Sequence, residues 1–189
     1  MKIITLCFAL LLSTSLMAKT ENNTKKSSVN YKEFFKDIKV DRVGAHLGLV
    51  KPSEIDPAIG FGIDLPLGTI TKHHIEIRTG LEYWTKSTGA LDTSDFILSG
   101  YGLYNFKQLK KLPITPYAGG GVSFHFVSAD AQVGPVVVSG SDTNLGLDIV
   151  GGGIYDYKKN LDFFTEAKWR LVSDVGQLSF VAGAVYRFR

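Results

Sequence analysis

The residues best suited to chemistry in this chain are His125, Ser128 and an acid, either Asp148 or Glu166. A base, a nucleophile and an orienting carboxylate could be assembled from that set. Their spacing argues against it. His125 and Ser128 are three apart, so on one continuous strand their side chains point to opposite faces, and only a bulge would bring them together. His73 and His74 are adjacent and diverge in the same way. Neither an HExxH pair nor a carboxylate cluster accompanies them, so no metal site is expected. Gly119 to Gly121 and Gly151 to Gly153 are followed by no Lys-Ser or Lys-Thr pair and open no helix, which argues against phosphate loops. Close strand packing and strong curvature account for them better. No catalytic residue and no cofactor is expected, and the chain is read as a non-enzyme.

A second set of reactive side chains is periodic. Glu76, Arg78 and Glu82 recur at even spacing, as do Glu166, Lys168 and Arg170, and Asp148 occupies the equivalent face of its own segment. Side chains two apart on a strand share a face. If these faces line a narrow interior, burying so many charges is costly unless they pair and hydrogen-bond. A network of ion pairs and waters with a structural role is the expectation.

The elements that position these residues follow from the same alternation. From Val43 onward, apolar and aromatic residues alternate with glycine or polar ones in segments bounded by turn chemistry, and helical periodicity is absent. Strands are predicted at 43–50, 58–66, 73–86, 95–106, 115–127, 144–157, 161–172 and 177–188. The seventh is the clearest: Leu161, Phe163, Thr165, Ala167, Trp169 and Leu171 oppose Asp162, Phe164, Glu166, Lys168, Arg170 and Val172. Eight strands allow an all-β, antiparallel up-and-down barrel. Alternation alone does not say which face meets solvent, since a soluble barrel or sandwich turns its apolar face inward. In the soluble alternative Leu161, Phe163, Trp169 and Ile75 would line a cavity for an apolar ligand. Two features favour the membrane: strands long enough to cross a bilayer when tilted, and aromatic residues gathered near strand ends, as at Tyr83, Trp84, Tyr155 and Tyr157.

The connections are asymmetric. One set is short and basic, at 67–72, 107–113 and 158–160. The other contains the longest predicted loop, 128–143, together with 51–57, 87–94 and 173–176, and carries Glu54, Asp56, Asp92, Asp130, Asp142 and Asp174. Short inner turns and long outer loops are expected of outer-membrane barrels. Val133, Pro135, Val136, Val137 and Val138 are the first candidates for loop-mediated contact with proteins or surfaces. The alternative is that Pro135 to Val138 simply extends the barrel strand as a hairpin edge.

The N-terminus reads as a cleavable export signal over 1–18. Lys2 precedes the apolar run Ile3 to Leu12, and Ser13, Thr14 and Ser15 lead to Ala18. That run is shorter than a membrane helix needs. Cys7, the only cysteine, lies inside it and would leave with it. Residues 19–42 form a polar segment in which a short helix over 31–38 is possible, with Phe34, Phe35 and Ile38 on one side; the barrel is placed at 43–189. The formal charge of +3 belongs mostly to that segment, because Val43 onward is close to neutral, so nucleic acid is a poor partner.

With its aromatic final strand and the stretch Thr115, Pro116, Tyr117, Ala118, Gly119, Gly120, Gly121, Val122, the chain resembles the eight-stranded outer-membrane β-barrel family of the OmpA-like and OmpX-like type over roughly Val43 to Phe188. The resemblance implies an integral outer-membrane protein with lipid around it. It also implies an assembly signal read by the barrel-assembly machinery, with Tyr186 and Phe188 in the matching positions. Arg189 after the aromatic is a departure from the family pattern. No peptidoglycan-binding domain is expected after the barrel. A structural or adhesive role through the outer loops, with at most minor pore activity, is the functional expectation; a lipid-modifying barrel enzyme is a further alternative.

Overall fold

The computed structural model describes residues 39–53, 55–70, 75–107, 113–133, 135–172 and 175–188. The export signal, the helix considered at 31–38, the His73–His74 pair and Arg189 lie outside the described residues. Eight strands run in chain order: β1 (Arg42–Pro52), β2 (Ala58–Ile70), β3 (Ile75–Thr88), β4 (Leu91–Asn105), β5 (Ile114–Val133), β6 (Val136–Lys158), β7 (Leu161–Val172) and β8 (Val175–Arg187). Each pairs antiparallel with the next, and β1 pairs with β8 to close an all-β barrel. Among the described residues there is no helix.

The alternation seen in the sequence sorts side chains in the opposite sense to a soluble protein. Leu47, Ile63, Leu98, Val122, Leu147, Ile149 and Phe180 stand on the outer surface, with Leu47 64 % and Leu147 60 % exposed. Arg170 and Lys168, at 0 %, are enclosed. Phe163 and Trp169 also face outward, which overturns the soluble alternative that required them to line an internal cavity. A large apolar belt outside and charges inside suits hydrocarbon as the surrounding solvent.

Aromatic rows bound this belt. Near one end, register places Phe61 beside Tyr83, Tyr83 beside Phe96 and Phe96 beside Phe126, with the last two ring centroids 6.1 Å apart. At the other end Tyr104 meets Phe106, Tyr157 meets Phe163, and Tyr186 meets Phe188 at 5.8 Å. Rings with an apolar body settle where hydrocarbon gives way to headgroups.

The predicted loop architecture needs correction at the end distant from the described termini. The segment 128–143, expected to be the longest loop, is instead β-structure: β5 and β6 stay in register up to Val133↔Val136. Likewise 87–94 is a tight hairpin, with Thr88 paired to Leu91 and Gly89 at φ 62 in its turn. Both segments are rich in Ser, Thr and Asp, residues that also mark turns and so mask the strand pattern. At the opposite end β2 continues to Ile70, and a bulge between Pro66 and Gly68 absorbs the proline that cannot donate to the ladder. Strands β3 to β6 therefore project beyond the rest as a four-stranded sheet, because β2–β3 pairing starts only at Gly60↔Trp84 and β6–β7 pairing only at Gly146↔Val172.

Candidate functional site

The barrel interior gathers nearly all of the buried ionisable side chains. Glycines thin its wall where large side chains meet. The period of two puts Glu76, Arg78 and Glu82 of β3 on the same lining as Glu166, Lys168 and Arg170 of β7, and strand curvature brings these two rows together across the lumen. Arg42 at the rim lies 3.3 Å from Glu76, which is 3.1 Å from Arg78. Arg78 reaches Glu166 at 2.8 Å, and the Tyr117 hydroxyl donates to the same carboxylate at 2.6 Å. Lys168 lies between Glu166, at 3.2 Å, and Glu82, with which it forms a tight ion pair. Arg170 continues the chain, 2.6 Å from Glu82 and 3.3 Å from Asp148.

All seven charged residues singled out in the sequence thus occur in one buried network. Sequence reasoning missed Asp64, His46, Asp95, Tyr101, Tyr117 and Ser123, which complete it. His46 Nδ1 is 2.7 Å from Asp64, and the Tyr101 hydroxyl donates to Asp148 at 2.9 Å. The signal was available: Ser99, Tyr101 and Leu103 alternate on β4 just as the charged series do on β7. The aromatic and hydroxyl members carry no formal charge, so the pattern of charges alone did not pick them out.

His125 also has partners, but not the expected one. Ser128 is exposed on the opposite face, as its spacing requires. Ser123, two residues before His125 and on the same face, lies 3.0 Å from Nε2, while Asp95 of β4 is 2.7 Å from Nδ1. The order Asp–His–Ser is that of a charge-relay triad. The Ser123 hydroxyl, however, is wholly buried and lies 2.7 Å from Asp148 Oδ1.

Two apolar clusters share the lumen with the polar network: Val50, Ala58, Trp84 and Ile97 with Ile55, where Trp84 is the register partner of Asp95, and Tyr101, Leu103, Tyr117 and Val150 with Ile154, where Leu103 is that of Glu76. An eight-stranded barrel has a lumen that side chains can fill. Purified protein in planar bilayers is accordingly expected to give no steady current above lipid alone. A stable open channel would contradict the packed interior. Among the described residues no group of three or more His, Cys, Asp or Glu side chains is placed to hold a metal ion.

Comparison with known proteins bears on the fold. No family model matches the chain, and no curated protein does. Among solved structures, Neisserial surface protein A is similar at 16 % identity over 78 % of this chain and 95 % of that one, with a TM-score of 0.58. A major outer membrane protein from Thermus thermophilus gives 16 % identity, 78 % and 98 % coverage and a TM-score of 0.60. The N-terminal β-barrel domain of Pseudomonas aeruginosa OprF gives 14 %, 78 % and 98 %, and 0.51. The chain has the fold of eight-stranded outer-membrane barrels, with strands that cross the membrane.

Proposed function

We propose that this chain is a non-conducting, non-catalytic outer-membrane barrel that acts by contact, presenting the projecting sheet of β3 to β6 at the cell surface. The observation behind the proposal is the edge of β6. From Val136 to Thr143 this strand pairs with β5, while its pairing with β7 begins only at Gly146. That leaves roughly 25 Å of strand edge, at about 3.3 Å per residue, with no neighbouring strand among the described residues.

Natural sheets protect such edges with lysines, prolines or bulges, because an open edge is a template for another chain. Between Val136 and Thr143 this one has none of these devices. Its sole charge is Asp142, whose carboxylate accepts the Thr143 N–H at 2.8 Å, and Val136, Val137 and Val138 are each more than half exposed. The same valines were the first contact candidates in the sequence, and the extension of the strand and the contact role are one feature here. An added strand would gain main-chain hydrogen bonds from the edge and side-chain contacts from the valines.

The test is a Val137→Lys, Ser139→Lys double variant. It arms the edge with the charges that sheets use against pairing, and leaves the β5 ladder in place. Outer-membrane recovery and the boiling-dependent gel shift should match the parent. Clumping of expressing cells and their attachment to immobilised serum proteins should fall about tenfold, equivalent to a loss of roughly 1.4 kcal/mol. Unchanged attachment by the variant would refute the edge as the contact, and equal attachment by cells lacking the protein would refute the contact role itself.

A further inference from the structure

The chain Asp95–His125–Ser123–Asp148 contains more close polar contacts than its ordinary protons can fill. It has three: Asp95 Oδ2 to His125 Nδ1 at 2.7 Å, His125 Nε2 to Ser123 Oγ at 3.0 Å, and Ser123 Oγ to Asp148 Oδ1 at 2.7 Å. Each needs a hydrogen between its two heavy atoms, since lone pairs facing each other at these distances repel. A neutral imidazole brings one proton and the serine hydroxyl brings one. The third contact requires one more.

We infer that this chain is a proton-binding site, with the extra proton on His125, so that an imidazolium joins two ionised carboxylates through Ser123. Placement on Asp148 is disfavoured by its surroundings. Its other oxygen already accepts from the Tyr101 hydroxyl at 2.9 Å and lies 3.3 Å from Arg170 Nε, both donors that favour a carboxylate. The charges around the lumen agree. Asp64 and Glu82, Asp95, Asp148, Glu166 and Glu76 outnumber Arg42, Arg78, Lys168 and Arg170, and Asp162 is taken up by Arg187 at 2.5 Å. A cationic His125 narrows that deficit beside Asp95, whose Oδ1 has no hydrogen-bond partner and which pairs with no Lys or Arg among the described residues.

Six strands contribute to the site or its surroundings: β3 through Trp84, the register partner of Asp95, β4 through Asp95 and Tyr101, β5 through Ser123 and His125, β6 through Asp148, β7 through Arg170, and β8 through Gln177 and Ser179 behind Arg170. His46 provides an internal contrast. Its Nδ1 bonds Asp64, and its Nε2 stands 3.9 Å from Glu82, beyond hydrogen-bond distance, so no contact there demands a second proton. The consequence for chemistry is direct: the Ser123 hydroxyl spends its hydrogen on Asp148, and a doubly protonated His125 has no lone pair with which to activate it.

The full barrel, labelled with nitrogen-15 histidine and refolded in detergent, tests this by ring-nitrogen spectroscopy at neutral pH. The His125 signals, assigned by their disappearance in His125→Gln, should show both nitrogens protonated, and those of His46 only one. In Asp148→Asn the amide donates to Ser123, the serine hydrogen turns to Nε2, and His125 should revert to a single protonated nitrogen at Nδ1. A singly protonated His125 in the parent would overturn the inference, whether or not the variant folds. So would a doubly protonated His125 in a folded Asp148→Asn barrel, as judged by its gel shift.

Discussion

Replacing Arg170 with methionine is expected to destabilise the barrel by about 3–5 kcal/mol, among the larger costs of any single substitution, because one partner of a buried ion network is removed. Arg170 is fully enclosed and contacts Glu82, Asp148 and the Tyr101 hydroxyl, with longer contacts to Gln177 and Ser179. Without it, Asp148 keeps its burial and loses its cation, and Glu82 is left with Lys168 alone. The readout is urea unfolding of the refolded barrel, followed by the fluorescence of Trp84 and Trp169. Arg170→Lys should recover only part of the loss, since a point charge cannot serve Glu82 and Asp148 with the planar fork that reaches both. Adding Glu82→Gln to Arg170→Met should cost less than the sum of the two single changes, the mark of directly coupled groups. Strict additivity, or a stable Arg170→Met barrel, would mean that the network contributes little.

The second large effect is steric and separates glycines that look alike in the sequence. Gly121→Ala is expected to cost at least ~1–3 kcal/mol, the usual range for overpacking, and to reduce the folded fraction sharply. A methyl group there would meet the backbone carbonyl of Gly100 on the neighbouring strand and would lie 2.6 Å from the Tyr101 ring. Backbone cannot step aside as the tip of a flexible side chain can. Gly151→Ala, in the second glycine triplet, should be nearly silent, because nothing lies within 4 Å of the methyl position. The fraction of protein showing the boiling-dependent gel shift after refolding measures both. Equal behaviour of the two variants would remove close strand approach as the reason for Gly121.

Much of the barrel was legible because its signal is local. On β7 every second residue changes character, so its limits and the division between its two faces follow from reading twelve consecutive residues, while which face turns inward does not. The same rule failed at 128–143. The Gly134–Pro135 pair there reads as a loop, Val136 to Val138 form an unbroken apolar run and Ser139 to Thr143 carry no apolar residue, so β6 shows no period of two over that stretch. The interior network was half legible for a related reason. Alternation puts Glu82 and Arg170 on the charged face of their strands, but which cation meets which carboxylate depends on strand tilt and curvature, and these are properties of the closed sheet. The pairing of His125 with Ser123 rather than Ser128 was within reach of the two-residue rule. Ser123 sits in a glycine-rich stretch whose packing explanation hid it.

The distances along the chain between interior partners have a consequence for how the protein reaches the membrane. Glu82 and Lys168 are 86 residues apart, and Arg78 and Glu166 are 88 apart. An isolated hairpin of β3 and β4 entering the bilayer alone would carry Glu82 into hydrocarbon without Lys168 and Arg170, and the Glu76–Arg78 pair without Glu166, a costly step for the charge left unpaired. Stepwise insertion of hairpins is thereby penalised. The favourable route assembles β3 and β7 into one curved sheet before, or while, the lumen loses water, with the β1–β8 seam sealing an interior whose charges have already met. An incomplete barrel would thus meet a higher cost of entering hydrocarbon than a sheet in which the β3 and β7 charges have paired.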